Sequence, residues 1–413
     1  MIGLVDCNNF FVSCERVKLP ELMGKAVVVL SNNDGCAIAR SDEAKALGVT
    51  MGQPAFQLRN LIKSGQLIAL SSNHKLYHEI SVKVHNIFRR FVPSTFDYSV
   101  DEAFLNVDGI PNCALLEIAE QIRDTCMLEE NIPVTVGFSH TRTLAKLATH
   151  IGKKKKSSIC ILEDKHQIRN IIEELPIYEL WGIGRRLSKQ LYSEGVNTIA
   201  DFADLSIQHI RKNYGINGER TWNELHSIPC VELKDRTLQE SLSETRTFPF
   251  DTDNLEFIRS KIIMFAADCA TRLRRMNGLC KMVSVHLSTN RFNESKEYQS
   301  FVVNICFEAY ESSTSLIAKA AEQGLIKIFE PSQKYKRAGV TLSSIISVEN
   351  KQLSLFNQEE KSSYKTENLM NTIDNINNEI KSKSIIKLAS QLSDGFASPN
   401  STSGYTSTFH FQE

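Results

Sequence analysis

The chain opens with "MIGLV", an apolar run that meets Asp6, and repeats the pattern in "KAVVVL", closed by the turn-like "SNNDG". Short apolar runs bounded by turn residues predict buried strands. Ser41 to Leu61 reads as a helix and then a loop through Gly52 and Pro54, and Leu76 to Phe91 carries apolar positions at helical spacing. "DYSVDEAFLNV", Asp97 to Val107, is strand-like. "IPVTVGFS" predicts another buried strand, with the helix "TLAKLATHIGKK" behind it. Strands interleaved with helices predict a mixed α/β beginning.

At Leu175 the pattern changes. "LPIYELWGIGRRLSKQLYSEGVNTIADFADL" sets a Gly-x-Gly turn, Gly182 to Gly184, between two helical stretches, with Gly195 ahead of another. This predicts a helix-hairpin-helix module. Its turn glycines allow backbone N–H groups to approach a phosphate, and Arg185, Arg186 and Lys189 follow on the next helix. A plain helical hairpin is the other reading of the same residues. From about Glu240 to Ile346 come a basic helix "ATRLRRMNGLCK", alternating stretches "KMVSVHLS" and "SFVVNICFE", an apolar helix near Leu316 to Leu325, and "AGVTLSSI". That alternation predicts a two-layer α+β domain. Beyond Val348 the composition shifts to Lys, Asn, Ser and Gln, and only Leu369, Ile373, Ile376 and Ile380 keep a helical stripe. The tail is expected to order against a partner, with a docking helix from about Thr366 to Lys381.

A length of 413 residues predicts two to four domains. Lys plus Arg and Asp plus Glu balance at 48 each, so net charge says nothing about a polyanionic partner. Charge distribution says more. Arg142 to Cys160 holds six Lys or Arg and no acid, whereas Asp97 to Asp108 holds four acids and no base. Such polarity suits a cation site beside an anion-binding surface, or two solvated faces. The ten cysteines contain no Cys-x-x-Cys pair, and no apolar run approaches the ~20 residues of a membrane span. A reduced, cytoplasmic compartment is expected, with no membrane partner.

The acids pose the chemical question. Neighbouring side chains on a strand point to opposite faces, so Asp101 and Glu102 in mid-strand would send one carboxylate into the core, unpaired and costly. A strand end, a basic partner or a bound cation each relieves that cost. Asp6 ends the first strand; if the two strands are sheet neighbours, three carboxylates converge. Oxygen donors of this kind suit Mg²⁺, which keeps waters and accepts phosphate oxygens. Two such ions, about 3.5–4 Å apart, serve nucleotidyl transfer. Ordinary turn acids and a strand-end cap remain the alternative for each residue taken singly.

Five ordered motifs, "LVDCNNFFVSCE", "LSNNDGCAIARSDEAKALGV", "YSVDEAFL", "VGFSHTRTLAKLATHIGKK" and "LWGIGRRL", together with the ending "SPNSTSGYT", carry a resemblance. The chain resembles the Y-family translesion DNA polymerases, in particular the UmuC-type catalytic subunits. That resemblance implies a right-hand α/β and α+β multidomain architecture: palm from 1–19 and 75–165, small fingers from 20–74, thumb from 166–233, little finger from 240–347 and a flexible tail from 348–413. It implies template-directed DNA synthesis past damaged bases without proofreading. Asp6, Asp101 and Glu102 take the metal-ligand positions for two Mg²⁺ ions, with the Cys7 carbonyl as a backbone ligand. Phe11 falls at the sugar steric gate, its neighbour Phe10 being assigned to the core, and Lys45 and Lys153 at triphosphate positions. Relatives often carry tyrosine at the position of Phe11, and a tyrosine where this chain has Asp42. "QLSLF", with Gln352, Leu353, Leu355 and Phe356, resembles a sliding-clamp peptide. Primer–template DNA, dNTP, a sliding clamp, a processed UmuD-like dimer and a RecA-type filament are the implied partners. A non-catalytic DNA-binding scaffold and a metal-dependent nuclease are the competing classes.

Overall fold

In the computed structural model, residues 1–31, 34–230, 239–292, 297–350, 368–370 and 372–377 are described. They fall into two compact units, one built on Met1–Asp235 and one on Arg236–Ala397.

The first unit begins with β1 (Ile2–Cys7) and α1 (Phe10–Lys18). Next come β2 (Val27–Leu30), β3 (Ala37–Arg40), α2 (Asp42–Ala46), α3 (Arg59–Lys63) and β4 (Ile68–Ser71). These three strands make their own small sheet, in the order β3-β2-β4, over a core that includes Val28, Leu30, Leu58 and Leu67. After α4 (His74–Phe88) follow β5 (Ser94–Asp97), β6 (Glu102–Asn106), α5 (Leu115–Glu130), β7 (Val134–Ser139), α6 (Arg142–Lys154) and β8 (Ile159–Ile161). They build a five-stranded sheet in the order β5-β6-β1-β7-β8, with β1 in the middle and antiparallel to both neighbours.

Alternation along β1 sorts its side chains between two layers. Val5 and Cys7 join residues of α1, α4 and α5 in the main core, together with Ala103, Leu105 and Val136. Leu4 packs on the other face with Phe104 and Ala145, under α6. Asp6 and Glu102 therefore belong to the α6 face by the same alternation. All six residues of β7 are buried, as expected for a strand covered on both sides. Gly137 lets α6 lie directly on that strand: a Cβ there would stand 2.4 Å from the Thr149 amide nitrogen and 2.7 Å from the Ala145 carbonyl oxygen.

The strand-like stretch from Asp97 to Val107 is not one strand. It breaks into the hairpin β5-β6, and Asp101 lies in the connecting turn, immediately before β6. Two of the three reliefs for the paired acids are thus present together, a strand end and, as described below, basic partners.

The unit closes with four helices: α7 (Lys165–Glu174), α8 (Arg185–Ser193), α9 (Ile199–Asp204) and α10 (Ile207–Leu225). Asp164 caps α7, and Thr198 with Asp201 forms a capping box on α9. Gly182 and Gly195 take positive φ at the two turns, where other residues would be strained.

In the second unit, β9 (Ser241–Thr252), α11 (Leu255–Arg275), β10 (Gly278–Ser288), β11 (Ser300–Glu311), α12 (Thr314–Ile328) and β12 (Tyr335–Ser343) form a helix layer on an antiparallel sheet. The order is β11-β10-β12-β9, and β13 (Ile346–Ser347) pairs with the start of β10. This is the two-layer α+β domain read from the alternating stretches. Residues 368–370 and 372–377 are helical. Ile373 is buried and Ile376 half-buried, as the expected stripe has them, whereas Leu369 is exposed and Met370 is buried in its place. Asp374 accepts from Arg274 Nε at 2.7 Å and Nη2 at 2.9 Å, a bidentate pair that turns this face of the helix toward α11. The "QLSLF" peptide and the last residues of the chain lie outside the described residues. All ten cysteines are free thiols, and among the described residues no helix is long and apolar enough to cross a membrane.

Candidate active site

The pairing of β1 with β6 sets Asp6 directly opposite Glu102. Two carboxylates at opposed positions repel, and both are largely removed from water, with side chains 15% exposed. The strain shows on Asp6. Burial raises its pKa from the usual carboxylate range to about 7; Lys153 pulls it down and Glu102 pushes it further up. The sheet tolerates this pair because α6 lies over it with two lysines seven positions apart, two helical turns on one face. Lys153 Nζ pairs with Asp6 Oδ1. Lys146 Nζ donates to both oxygens of Glu102 at 2.9 Å. Lys146 is itself held between aromatic faces, 4.7 Å from the Tyr98 ring centroid and 5.5 Å from that of Trp181. Asp6, Glu102, Lys146 and Lys153 line one open cleft of ≈ 170 Å³, bounded by Glu179 and Trp181 from the segment before α8.

Asp101 lies one register step beyond. Its carbonyl accepts from the Cys7 amide at 2.8 Å, and its Oδ1 accepts from Ser99 Oγ at 2.6 Å. Among the described residues no three His, Cys, Asp or Glu side chains stand close enough together to hold a metal ion. Two of the three acids therefore meet on one face, with lysine cations as their partners, and Asp101 sits at the mouth of the hairpin. The donor set still has the chemistry of a hard divalent cation site. It offers oxygen donors only, and its crowded negative charge is compensated here by two lysine side chains.

Phe10 is 3% exposed in the core, whereas Phe11 is half-buried. The Phe11 ring stacks on Tyr77 of α4, with centroids 4.4 Å apart and planes 15° from parallel, and His74 meets it edge-on. Lys45 on α2 donates to Asn9 Oδ1 at 2.7 Å and to Asp42 Oδ1 at 2.8 Å. Its hydrogen bond holds Asp42 below the usual carboxylate range. The acid at position 42 thus occupies the lysine that the resemblance assigns to phosphate. Gly182, Gly184, Arg185, Arg186 and Lys189 are all exposed around the start of α8. That is the placement a phosphate-backbone contact needs.

Three participants take no role from the sequence: Lys146 and Trp181, which lie inside the quoted motifs, and Glu224, which lies in none. The signal for Lys146 was its spacing of two turns from Lys153. Glu224, near the end of α10, is 1% exposed and accepts from the Thr143 amide at 2.8 Å and from Thr143 Oγ1 at 2.6 Å. Its own carbonyl accepts from Thr141 Oγ1, the N-cap of α6, at 2.9 Å. A buried carboxylate at a helix N-terminus satisfies open N–H donors and complements the helix dipole. Glu224 thereby ties the helical module to the helix that carries Lys146 and Lys153. Glu224→Ala is expected to cost about 1.5–3 kcal/mol and to weaken whatever the cleft does, with a smaller loss in Glu224→Gln; chemical denaturation of the full chain measures it.

Comparison with known proteins bears on the family and the fold. The sequence matches the impB/mucB/samB family over residues 5–150 and that family's C-terminal domain over residues 239–355. It is 35% identical to Protein UmuC of Salmonella typhimurium over 361 residues, 86% of each chain. It is 26% identical to DNA polymerase IV 2 of Halalkalibacterium halodurans over 377 residues, covering 87% of this chain and 88% of that one. A solved Y-family DNA polymerase chimera superposes with a TM-score of 0.70 at 22% identity, covering 84% of this chain and all of the other. The fold is that of the Y-family DNA polymerases, with palm, fingers, thumb and little finger. Within that class, the chain belongs to the impB/mucB/samB family, the group of UmuC-type proteins.

Proposed function

We propose that this chain is a DNA-directed DNA polymerase of the translesion type, copying past damaged bases in DNA repair and mutagenesis of the SOS kind. Family membership and the named polymerase relatives support the reading. The observation that carries it is the pairing of Asp6 with Glu102 across adjacent strands, beneath a lysine-bearing helix, inside a Y-family fold.

In this reading the palm is 1–19 and 75–165, the fingers 20–74, the thumb 166–233 and the little finger 240–347. Primer–template DNA and dNTP are the substrates. Asp6, Asp101 and Glu102 would hold two Mg²⁺ ions, with the Cys7 carbonyl as a further donor. When bound, the ions supply charge stabilisation for an in-line displacement at the dNTP phosphorus. The chain's own residues do the rest. Lys153, released from Asp6, is within the cleft for triphosphate oxygens, and Lys45 is a second phosphate contact once it leaves Asp42. Lys146, clamped by Tyr98 and Trp181, holds Glu102 oriented. Phe11 presents its ring where a 2′-hydroxyl would lie. The exposed turn at Gly182 and Gly184, with Arg185, Arg186 and Lys189, holds the duplex by its phosphates, which fixes register without reading sequence. Residues 352–356 would engage a sliding clamp. A processed UmuD-like dimer and a RecA-type filament would be accessory partners in the cytoplasm.

Primer extension on undamaged and abasic-site templates, with Mg²⁺ and dNTPs and with clamp and accessory proteins in a second series, tests this directly. Addition opposite and beyond the abasic site is the expected result. DNA binding without extension under every supplement would replace the polymerase by a scaffold.

A further inference from the structure

The Phe11 ring does not stand alone. Behind it Tyr77 lies parallel at 4.4 Å, itself 1% exposed, and the Tyr77 hydroxyl donates at 2.6 Å to Glu15 Oε1, a carboxylate with no exposed surface. Glu15 sits on α1, one turn after Phe11, and Tyr77 comes from α4, so two helices converge on one ring. Burial, and then the Glu15 charge, push the Tyr77 hydroxyl well above the ordinary phenol range, which keeps it a donor. His74 braces both rings edge-on, 6.0 Å from Phe11 and 5.9 Å from Tyr77. A buried carboxylate is expensive, and here its hydrogen bond fixes an aromatic side chain that touches no proposed substrate.

We infer that Tyr77, pinned by Glu15, is the positioning residue that keeps the Phe11 ring forward and so sets discrimination between deoxyribonucleotides and ribonucleotides. The inference rests on reading Phe11 as the sugar gate. A ring excludes a hydroxyl only if it cannot retreat, and the space into which Phe11 would retreat is filled by Tyr77. A phenylalanine ring has no polar atom of its own by which it could be anchored. This chain has phenylalanine, so packing from behind has to supply the constraint.

The test is the ratio of kcat/KM for dCTP over CTP opposite template guanine, measured on full-length wild type, Phe11→Ala, Tyr77→Leu and Tyr77→Phe under conditions where wild type extends the primer. Phe11→Ala should lower the ratio by at least about 10-fold, the order that a methylene-sized change in a pocket produces. Tyr77→Leu should lower it comparably, through a gain in CTP use and not a loss of dCTP use. Tyr77→Phe keeps the ring, guards against a folding failure of the leucine variant, and should fall between wild type and Tyr77→Leu. General destabilisation would lower both substrates together and leave the ratio unmoved. If Phe11→Ala relaxes the ratio while both Tyr77 variants keep the wild-type value, the backstop is overturned and the gate stands. If Phe11→Ala itself keeps the wild-type ratio, the gate reading fails, and the backstop with it.

Discussion

Asp6→Asn is expected to cripple primer extension while making the metal-free protein no less stable near pH 4 and progressively more stable as pH rises to about 7. The two effects have one origin. With its folded pKa raised from 3.8 to about 7, the Asp6 carboxyl binds a proton more tightly in the folded state than in the unfolded one. A group raised in this way contributes stability that is fully present below the unfolded pKa and is lost as pH climbs through the folded value. Between about pH 4 and 7 the wild type therefore gives up stability from this position, and the amide, which does not titrate, does not. Burial is the larger cause and Glu102 adds to it; Lys153 only offsets them. Thermal melting in chelator across pH 5 to 8 checks the sign: the wild-type curve should fall relative to that of Asp6→Asn as pH rises. Extension assayed separately with Mg²⁺ should drop by at least about 10²–10³-fold relative to wild type, as for loss of a group that stabilises transition-state charge. Catalytic groups held against their own preference for the neutral form commonly trade stability for activity in this way.

The second large effect is predicted at Gly137. Its position on β7 is where α6 lies closest to the sheet, and a methyl group would collide with the Thr149 amide nitrogen at 2.4 Å and with Thr149 Oγ1 at 2.5 Å. Backbone cannot give way as a flexible side chain does. Thr149 Oγ1 donates to the Leu4 carbonyl at 3.3 Å and the Ala145 carbonyl at 3.0 Å, so moving it disturbs β1 as well. Gly137→Ala should cost about 3 kcal/mol, the upper end of overpacking penalties, and lower the melting temperature of the first unit by roughly 6–12 °C. Because α6 carries both Lys146 and Lys153, extension should fall even at temperatures where the variant is folded. Calorimetry and single-nucleotide addition at low temperature separate the two losses.

The molecule's plan is visible in local sequence wherever a periodic pattern decides the element. "MIGLVDC" and "IPVTVGFS" read as the strands they form, the α6 stretch reads as its helix, and the alternating β10, β11 and β12 stretches announce a second domain. Local pattern fails where the outcome depends on a distant residue. That Asp6 meets Glu102, with Asp101 a step away in a turn, depends on strand register, and no window around either strand encodes it. Glu15 reads as an unremarkable helix acid until Tyr77 arrives from α4. Glu224 becomes a helix cap, and Asp374 a partner for Arg274, only through tertiary packing. In the tail helix hydrophobic spacing places Ile373 correctly but offers Leu369 where Met370 is buried, beside the Arg274–Asp374 pair.

The central claim is that Asp6 and Glu102 are kept side by side and lysine-held for templated nucleotide transfer. Single-turnover addition of the complementary dNTP by wild type and Glu102→Gln, each saturated with the same primer–template, tests it most directly. The account predicts matched DNA affinity, addition of the complementary nucleotide by wild type, and a rate at least about 10²-fold lower in the variant. Equal rates in the two proteins would contradict it.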